Sequence, residues 1–300
     1  MLSYRHAFHA GNHADVLKHL LLVLTLDYYR RKDKPFWYID THAGCGLYPL
    51  NSAEAQKNRE FAQGVQALWN VSDYPDTLSP YLELLQQLNP DRRLQQYPGS
   101  PWLAAKLLRP KDQLRLFELH PADFNALEKL LGQDKRIRIS KQDGLQGLLK
   151  LLPPIARRAV ILIDPSYELK NDYNATVTAL RQAYQRFATG TYLLWYPVIM
   201  RQRVRQMTLD LQTIGIPDIL QIEFCPYPDS NGMGMTGSGV FIINPSWLLA
   251  DQMRTILPWL QAHMGHSSGH FTVMQITPEQ KPEANHAILA NEIRTRCLWY

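Results

Sequence analysis

The sequence predicts an α/β protein: a doubly wound, mostly parallel sheet of seven strands, the last of them antiparallel, carrying a small helical insertion. Three observations predict this. Short β-rich runs alternate with helical periods along most of the chain. The run Ala159-Val160-Ile161-Leu162-Ile163 is apolar at every position, as a strand covered on both faces must be. Acidic residues (Asp40, Glu118 and Asp143) close the first three strand candidates, and open α/β sheets bind ligands at the carboxyl ends of their strands.

Taken in order, Asn12 is placed to cap a helix with Asp15 three residues on. That helix runs through Val16, Leu17, Leu20 and Leu24 to a basic stop at Arg30-Arg31-Lys32. The first strand, Phe36 to Ile39, ends at Asp40 and a glycine loop. The interval Asn51 to Tyr97 breaks the rhythm: it is polar, lacks a β-run and holds helical stretches near Ala53 to Trp69 and Pro80 to Leu88. It reads as an insertion near the active face, because loops at strand carboxyl ends build that face. Further strand candidates are Leu114 to Glu118, Arg136 to Ser140, Ala159 to Asp164, Tyr192 to Tyr196, Ile219 to Phe224 and Gly239 to Ile243. A Gly/Pro/Asn/Asp-rich link from Pro226 to Gly237 joins the last two without a helix, so they are expected to pair antiparallel. Residues 1–50 and 98–279 then form the α/β domain, 51–97 an inserted helical subdomain, and 280–300 a tail.

Composition limits the function classes. With 45% apolar and 20% charged residues, 300 residues make an ordinary globular protein, neither disordered nor fibrous. A net charge of +5 favours a polyanionic partner and equally serves solubility. Cys45, Cys225 and Cys297 are too scattered for a disulfide framework or a cysteine-based zinc site and suit a reducing compartment. The N-terminus is polar where a signal peptide needs an apolar core. The apolar stretches Leu20 to Leu26 and Tyr192 to Met200 are far short of the ~20 residues that span a bilayer. The expectation is a cytoplasmic, soluble protein with no membrane partner.

Three sites carry chemistry. In Asp40-Thr41-His42-Ala43-Gly44-Cys45-Gly46, two glycines let the backbone turn tightly beside a nucleotide-like ligand. The third glycine of a dinucleotide fingerprint is missing, Pro49 standing in its place. Glu118 ends the second strand, where a carboxylate can accept both ribose hydroxyls. It lies much further past Asp40 than the ~20 residues of a plain nucleotide fold, and the insertion accounts for the excess. Asp143-Gly144 repeats the placement after the third strand. Asp164-Pro165-Ser166-Tyr167 ends the fourth. An exocyclic amine is a poor nucleophile, and a carboxylate with a main-chain carbonyl can accept its hydrogens while an aromatic ring stacks on the base. Asn244-Pro245-Ser246-Trp247 has the same pattern but follows the last strand, away from the switch point beside the first strand, and is read as a structural strand exit.

Asp40-x-x-x-Gly44-x-Gly46 with Asp164-Pro165-Ser166-Tyr167 resembles the amino-methyltransferase branch of the S-adenosylmethionine-dependent enzymes. The opening Tyr4 to His19, Asp40 to Gly44 and Tyr97-Pro98-Gly99-Ser100-Pro101 resemble, more specifically, the bacterial 23S ribosomal RNA adenine-N6-methyltransferase J family, over about residues 1–279. Members were earlier described as acting in the use of external DNA as a nutrient. The resemblance implies a Rossmann-like class I methyltransferase fold with S-adenosylmethionine as cofactor. Its substrate would be one adenine of 23S rRNA, presented in protein-poor or naked RNA, and the enzyme a monomer. By matching position it places Lys18, His19, His42 and Ser100 around the methionine part of the cofactor, with Gly44 and Gly46 in the cofactor loop. Glu118 is placed on the ribose, Asp143 and Gly144 on the adenine ring, Asp164, Pro165 and Tyr167 in catalysis, and Tyr4 and Tyr167 at the target base. The family's fourth motif usually reads Asp-Pro-Pro-Tyr; Ser166 departs from it and predicts a less rigid loop.

Other readings account for less. His9 and His13 have helical ligand spacing and His263, His266 and His270 cluster, yet bare histidine spacing without further ligands favours solvated side chains, and no metal is expected. Basic residues are spread over several segments, with Arg92 and Arg93 in the insertion the pair best placed to meet RNA phosphates. A nicotinamide-dependent oxidoreductase would share the fold but lacks its third glycine. A DNA adenine methyltransferase remains an alternative, as does a non-catalytic nucleic-acid-binding or DNA-utilisation protein, which would leave Asp164 to Tyr167 without a task.

Overall fold

Asn12 opens the first helix, α1 (His13–Arg30), by accepting the N–H groups of Ala14 and Asp15 on its side-chain oxygen, each at 3.0 Å. Every residue of α1 from His13 to Leu26 is buried, which explains why its sequence lacks a polar stripe through the leucines. The computed structural model describes residues 5–168, 172–230 and 234–279.

After α1 come β1 (Trp37–Asp40), β2 (Leu47–Pro49), α2 (Ala53–Asn58), α3 (Val65–Trp69), α4 (Ser79–Leu88), β3 (Gln96–Pro98) and α5 (Ser100–Leu107). The βα alternation continues with β4 (Gln113–Phe117), α6 (Pro121–Leu131), β5 (Ile137–Ser140), α7 (Gly144–Leu151), β6 (Ala159–Ile163), α8 (Asp172–Arg186), β7 (Thr191–Val198) and α9 (Arg201–Thr213). The chain closes with β8 (Ile219–Cys225), β9 (Gly237–Ile243), α10 (Leu249–Met264) and β10 (His270–Thr277).

One sheet of eight strands, ordered β5-β4-β1-β6-β7-β9-β8-β10, forms the centre. The first five in that order are parallel. β9 inserts antiparallel between β7 and β8, as the helix-free link predicts. This is the Rossmann-like arrangement expected from sequence, with one correction: among the described residues the central sheet has eight strands, not seven. The added strand, β10, pairs antiparallel with β8 at the edge, leaving Phe271 and Met274 exposed. An edge strand with one open face mixes polar and apolar residues and lacks the continuous apolar signal of β6.

Alternate residues of β6 serve opposite layers. Val160 and Leu162 join α1, α5 and α10 in one apolar cluster, while Ile161 and Ile163 join α7, α8 and α9 in the other. The expected helical stretch from Ala53 to Trp69 is interrupted: Arg59 turns left-handed at φ 52°, a short 3-10 turn spans Glu60–Gln63, and α3 follows. The N-terminal segment supplies the reason. His9 and Asn12 hold the Glu60 carboxylate at 2.8 and 3.0 Å, and the Gly11 carbonyl accepts the Val65 N–H at 2.8 Å. Phe61, Leu68, Tyr81 and Leu85 from residues 51–97 pack in the same cluster as Leu17 and Leu20 of α1. The antiparallel ribbon β2–β3 ties the two ends of this segment to each other. Among the described residues no helix is long and apolar enough to cross a membrane.

Candidate active site

The carboxyl ends of β1, β4, β5 and β6 open on one cavity of about 770 Å³. Asp40, at the end of β1, is fully buried and accepts the Tyr38 and Ser100 hydroxyls at 2.7 Å each and the His42 N–H at 3.2 Å. Burial pushes its pKa up to about 6 against those hydrogen bonds. The following loop turns at Gly44 with φ 64°, where a Cβ would strike the Tyr48 hydroxyl. That turn aims the Gly44 N–H at Glu118 Oε2, 2.8 Å away, while the His120 N–H holds Oε1 at 2.7 Å. Burial raises the Glu118 pKa and the two N–H groups offset part of the rise. Asp143 caps α7 by accepting the Gln146 N–H at 2.8 Å. Gly144 lies so close to the Thr41 carbonyl that any Cβ there would overlap it. The glycine therefore lets the third strand end approach the first.

A buried charge chain crosses the middle of the cavity. Lys18 Nζ stands 2.6 Å from Asp164 Oδ2 and 2.9 Å from Asp15 Oδ1, and 5.7 Å from the centre of the Trp195 ring. Asp15 Oδ2 in turn meets His6 Nε2 and accepts the Gly11 N–H, both at 2.9 Å. Burial opposes the charge on Lys18, but Asp15 and Asp164 outweigh it and hold the ammonium above the usual lysine range. Burial likewise opposes charge on Asp15, yet His6 and Lys18 hold its carboxyl well below the ordinary range. His19, one residue on, pairs with the Tyr97 hydroxyl at 2.9 Å, and burial lowers its pKa to about 3. Burial also lowers His42, which meets the Thr41 hydroxyl at 2.8 Å.

Lys18, His19, His42, Gly44, Ser100, Glu118, Asp143, Gly144, Asp164 and Pro165 thus line one cavity. Gly46 sits behind the loop with φ 84°, its carbonyl taking the Gly99 N–H at 2.9 Å. Tyr167 is placed differently from the expected stacking ring. With φ 51° it turns inward, is 6% exposed, donates its hydroxyl to the Trp195 carbonyl at 2.6 Å and packs 4.5 Å from the Tyr173 ring centre. Trp195 takes the cavity wall instead. Arg92 and Arg93 are exposed on the insertion, outside the cavity. Tyr4 and the tail 280–300 lie outside the described residues. The decoy Asn244 is structural: its amide donates to the carbonyls of Ala188 and Gly190.

Asp15 and His6 escaped the sequence reading, which used Asp15 only as a helix cap. The i, i+3 spacing of Asp15 and Lys18 put both on one helix face, but nothing local showed that Asp164 would meet them. His9 and His13 do not converge, since His9 pairs with Glu60. Among the described residues Glu223, Cys225 and His270 bring three ligand atoms within 4.8 Å of one another. The Arg201 guanidinium already lies among them, 2.7 Å from Glu223 and 3.1 Å from His270.

The cavity has features that suit a cationic nucleoside cofactor such as S-adenosylmethionine. The Glu118 carboxylate is pinned by two backbone N–H groups at a strand end, and the wall is rich in carboxylates. Known proteins similar to this chain are named methyltransferases. A protein named ribosomal RNA large subunit methyltransferase J from Escherichia coli is 49% identical over 280 residues, covering 93% of this chain and 100% of its own. Its namesake from Haemophilus influenzae is 46% identical over 281 residues, with 93% and 100% covered. The crystal structure of protein LPL1258 from Legionella pneumophila superposes with a TM-score of 0.83 at 36% identity, covering 89% of this chain and 98% of that one. Residues 33–277 match the family described as ribosomal RNA large subunit methyltransferase D, RlmJ, and the chain belongs to that family.

Proposed function

We propose that the protein transfers a methyl group from S-adenosylmethionine to N6 of an adenine in 23S ribosomal RNA, in the cytoplasm. The observation that carries this reading is Asp164, set at the end of β6 against the buried Lys18 ammonium, in a cavity that continues to Glu118, Asp143 and Gly144. Glu118 would hold the cofactor ribose, Asp143 and Gly144 its adenine, and Lys18, His19, His42 and Ser100 would surround its methionine end. The bound cofactor supplies a methyl group already activated by a sulfonium. The task left to the chain is to present the amine in line with it.

Asp164 does this through its second oxygen. Lys18 occupies Oδ2, so Oδ1 accepts one N6 hydrogen and the Pro165 carbonyl the other, which favours localisation of the nitrogen lone pair. After transfer the nitrogen carries the positive charge and is acidic, and it passes its surplus proton by way of Asp164 Oδ1 to solvent water. Trp195 offers the target base an aromatic wall beside Lys18, and Tyr167 supports that wall through the Trp195 carbonyl. Among the described residues the lining holds one lysine and no arginine, which favours an uncharged base over phosphate inside the cavity. RNA phosphates would meet exposed basic residues such as Arg92 and Arg93 instead.

Incubation with labelled S-adenosylmethionine and unmodified 23S rRNA, followed by nucleoside analysis, tests the reading. The expected product is N6-methyladenosine at one position. Label in another nucleoside, or no label in the RNA, would overturn it.

A further inference from the structure

The cavity extends past the cofactor and the target base. Its cofactor half lies over β4, β1 and β6, while Trp195, Pro197, Tyr227 and Met235 line the other half over β7, β9 and β8. From β6, which delivers Asp164, to β8, which delivers Tyr227, is three strand spacings, or ~14 Å. A single purine held at Asp164 does not reach so far.

Three chain segments meet at that far end. His13 opens α1, Gln63 and Glu60 come from the 3-10 turn of the insertion, and Tyr227 follows β8. The Tyr227 hydroxyl donates to Gln63 Oε1, and its ring stands edge-on to the His13 imidazole, with 6.2 Å between centroids and 74° between planes. His13 is 8% exposed and lines the cavity, and its Nδ1 meets no hydrogen-bond partner among the described residues. A buried polar atom without a partner costs free energy that a ligand would recover. Burial lowers the His13 pKa to about 4, so at neutral pH the ring carries no charge and can offer a donor or an acceptor.

Charge decides what this lobe accepts. Among the described residues Lys18 is the one lysine of the lining, already committed to Asp15 and Asp164, and Glu60 adds a carboxylate that His9 and Asn12 hydrogen-bond. A phosphate would be repelled. A planar, uncharged heterocycle with hydrogen-bonding edges suits a tyrosine ring beside a neutral imidazole. We infer that His13, Gln63 and Tyr227 form a second nucleobase subsite, which takes a base next to the target adenine in the same RNA strand. The inference rests on the RNA-methylating reading above and adds a determinant of which adenine is chosen.

The test uses RNA hairpins that contain the target adenine, intact or with either neighbouring nucleotide made abasic. For the unaltered protein one of the two abasic hairpins should lose about tenfold in kcat/KM, the effect of one stacked base. Tyr227→Ala should lose a similar factor on the intact hairpin and nothing further on that abasic one, with S-adenosylmethionine affinity unchanged. Tyr227→Phe, which keeps the ring, should retain most of the activity. Abasic hairpins methylated as well as the intact one, or losses that multiply in Tyr227→Ala, would overturn the subsite while leaving the reaction standing. No transfer to any hairpin or to 23S rRNA would overturn the reaction and the subsite together.

Discussion

At Lys18 one buried ammonium is shared by two buried carboxylates, Asp15 and Asp164. Removing the shared partner leaves both acids without compensation, and breaking a buried pair in this way typically costs about 3–5 kcal/mol. Lys18→Met should therefore unfold at markedly lower denaturant concentration, and the folded remainder should transfer methyl groups slowly because Asp164 is no longer held. Equilibrium unfolding with single-turnover kinetics measures both effects; unaltered stability would show that Lys18 is not the keystone of the chain. The individual site residues were legible where a motif carried them. Asp40, Gly44, Glu118, Asp143, Gly144 and Asp164 all stand at strand ends, and all but the buried Asp40 line the cavity. Asp15, His6 and His13 were not legible in these roles, because their partners lie on other elements and only the packing of α1 against the sheet brings them together.

Among the elements, the turn from β1 to the loop is coupled to α5 through Asp40, whose carboxylate takes the Ser100 hydroxyl at 2.7 Å. Burial raises its pKa from 3.8 to about 6, so the folded protein binds this proton more tightly than the unfolded chain. The resulting stability is full below pH 3.8 and is lost as pH rises through 6. The unfolding free energy of the native protein, measured against Asp40→Asn, should therefore improve on going from pH 7 to pH 4, by up to roughly 3 kcal/mol. A pH-independent difference would contradict this account of the turn. Elements with a continuous apolar run or a cap, such as β6 and α1, were readable from sequence. The break at Arg59 was not, since it depends on His9 and Asn12 drawing Glu60 away from a continuous helix. β10 was missed because an edge strand shows solvent one face.

Over the whole molecule the charge is divided. The net charge is +5, yet among the described residues the cavity wall is rich in carboxylates and holds one lysine and no arginine. Arg92 and Arg93 lie outside it, on the segment that covers α1. Replacing both by Ala should weaken RNA binding and reduce the slope of log affinity against log salt by roughly 1.4–1.8, the loss of two phosphate contacts. Affinity for S-adenosylmethionine should not change. An unaltered slope would place the RNA backbone elsewhere. The division also sets the order of the reaction surface, with phosphates outside, bases inside and the amine brought to Asp164.

Delivery of the amine to Asp164 is measured by the single-turnover rate of methyl transfer to 23S rRNA by Asp164→Asn and Asp164→Ala, with S-adenosylmethionine affinity followed in parallel. Asn keeps the shape and one acceptor oxygen but removes the charge that faces Lys18, while Ala removes both. Asn should be slowed roughly 100-fold or more, the size of one lost transition-state contact, and Ala should be inactive, with cofactor affinity little changed in either. Transfer by Asp164→Ala at a near-native rate would contradict the assignment.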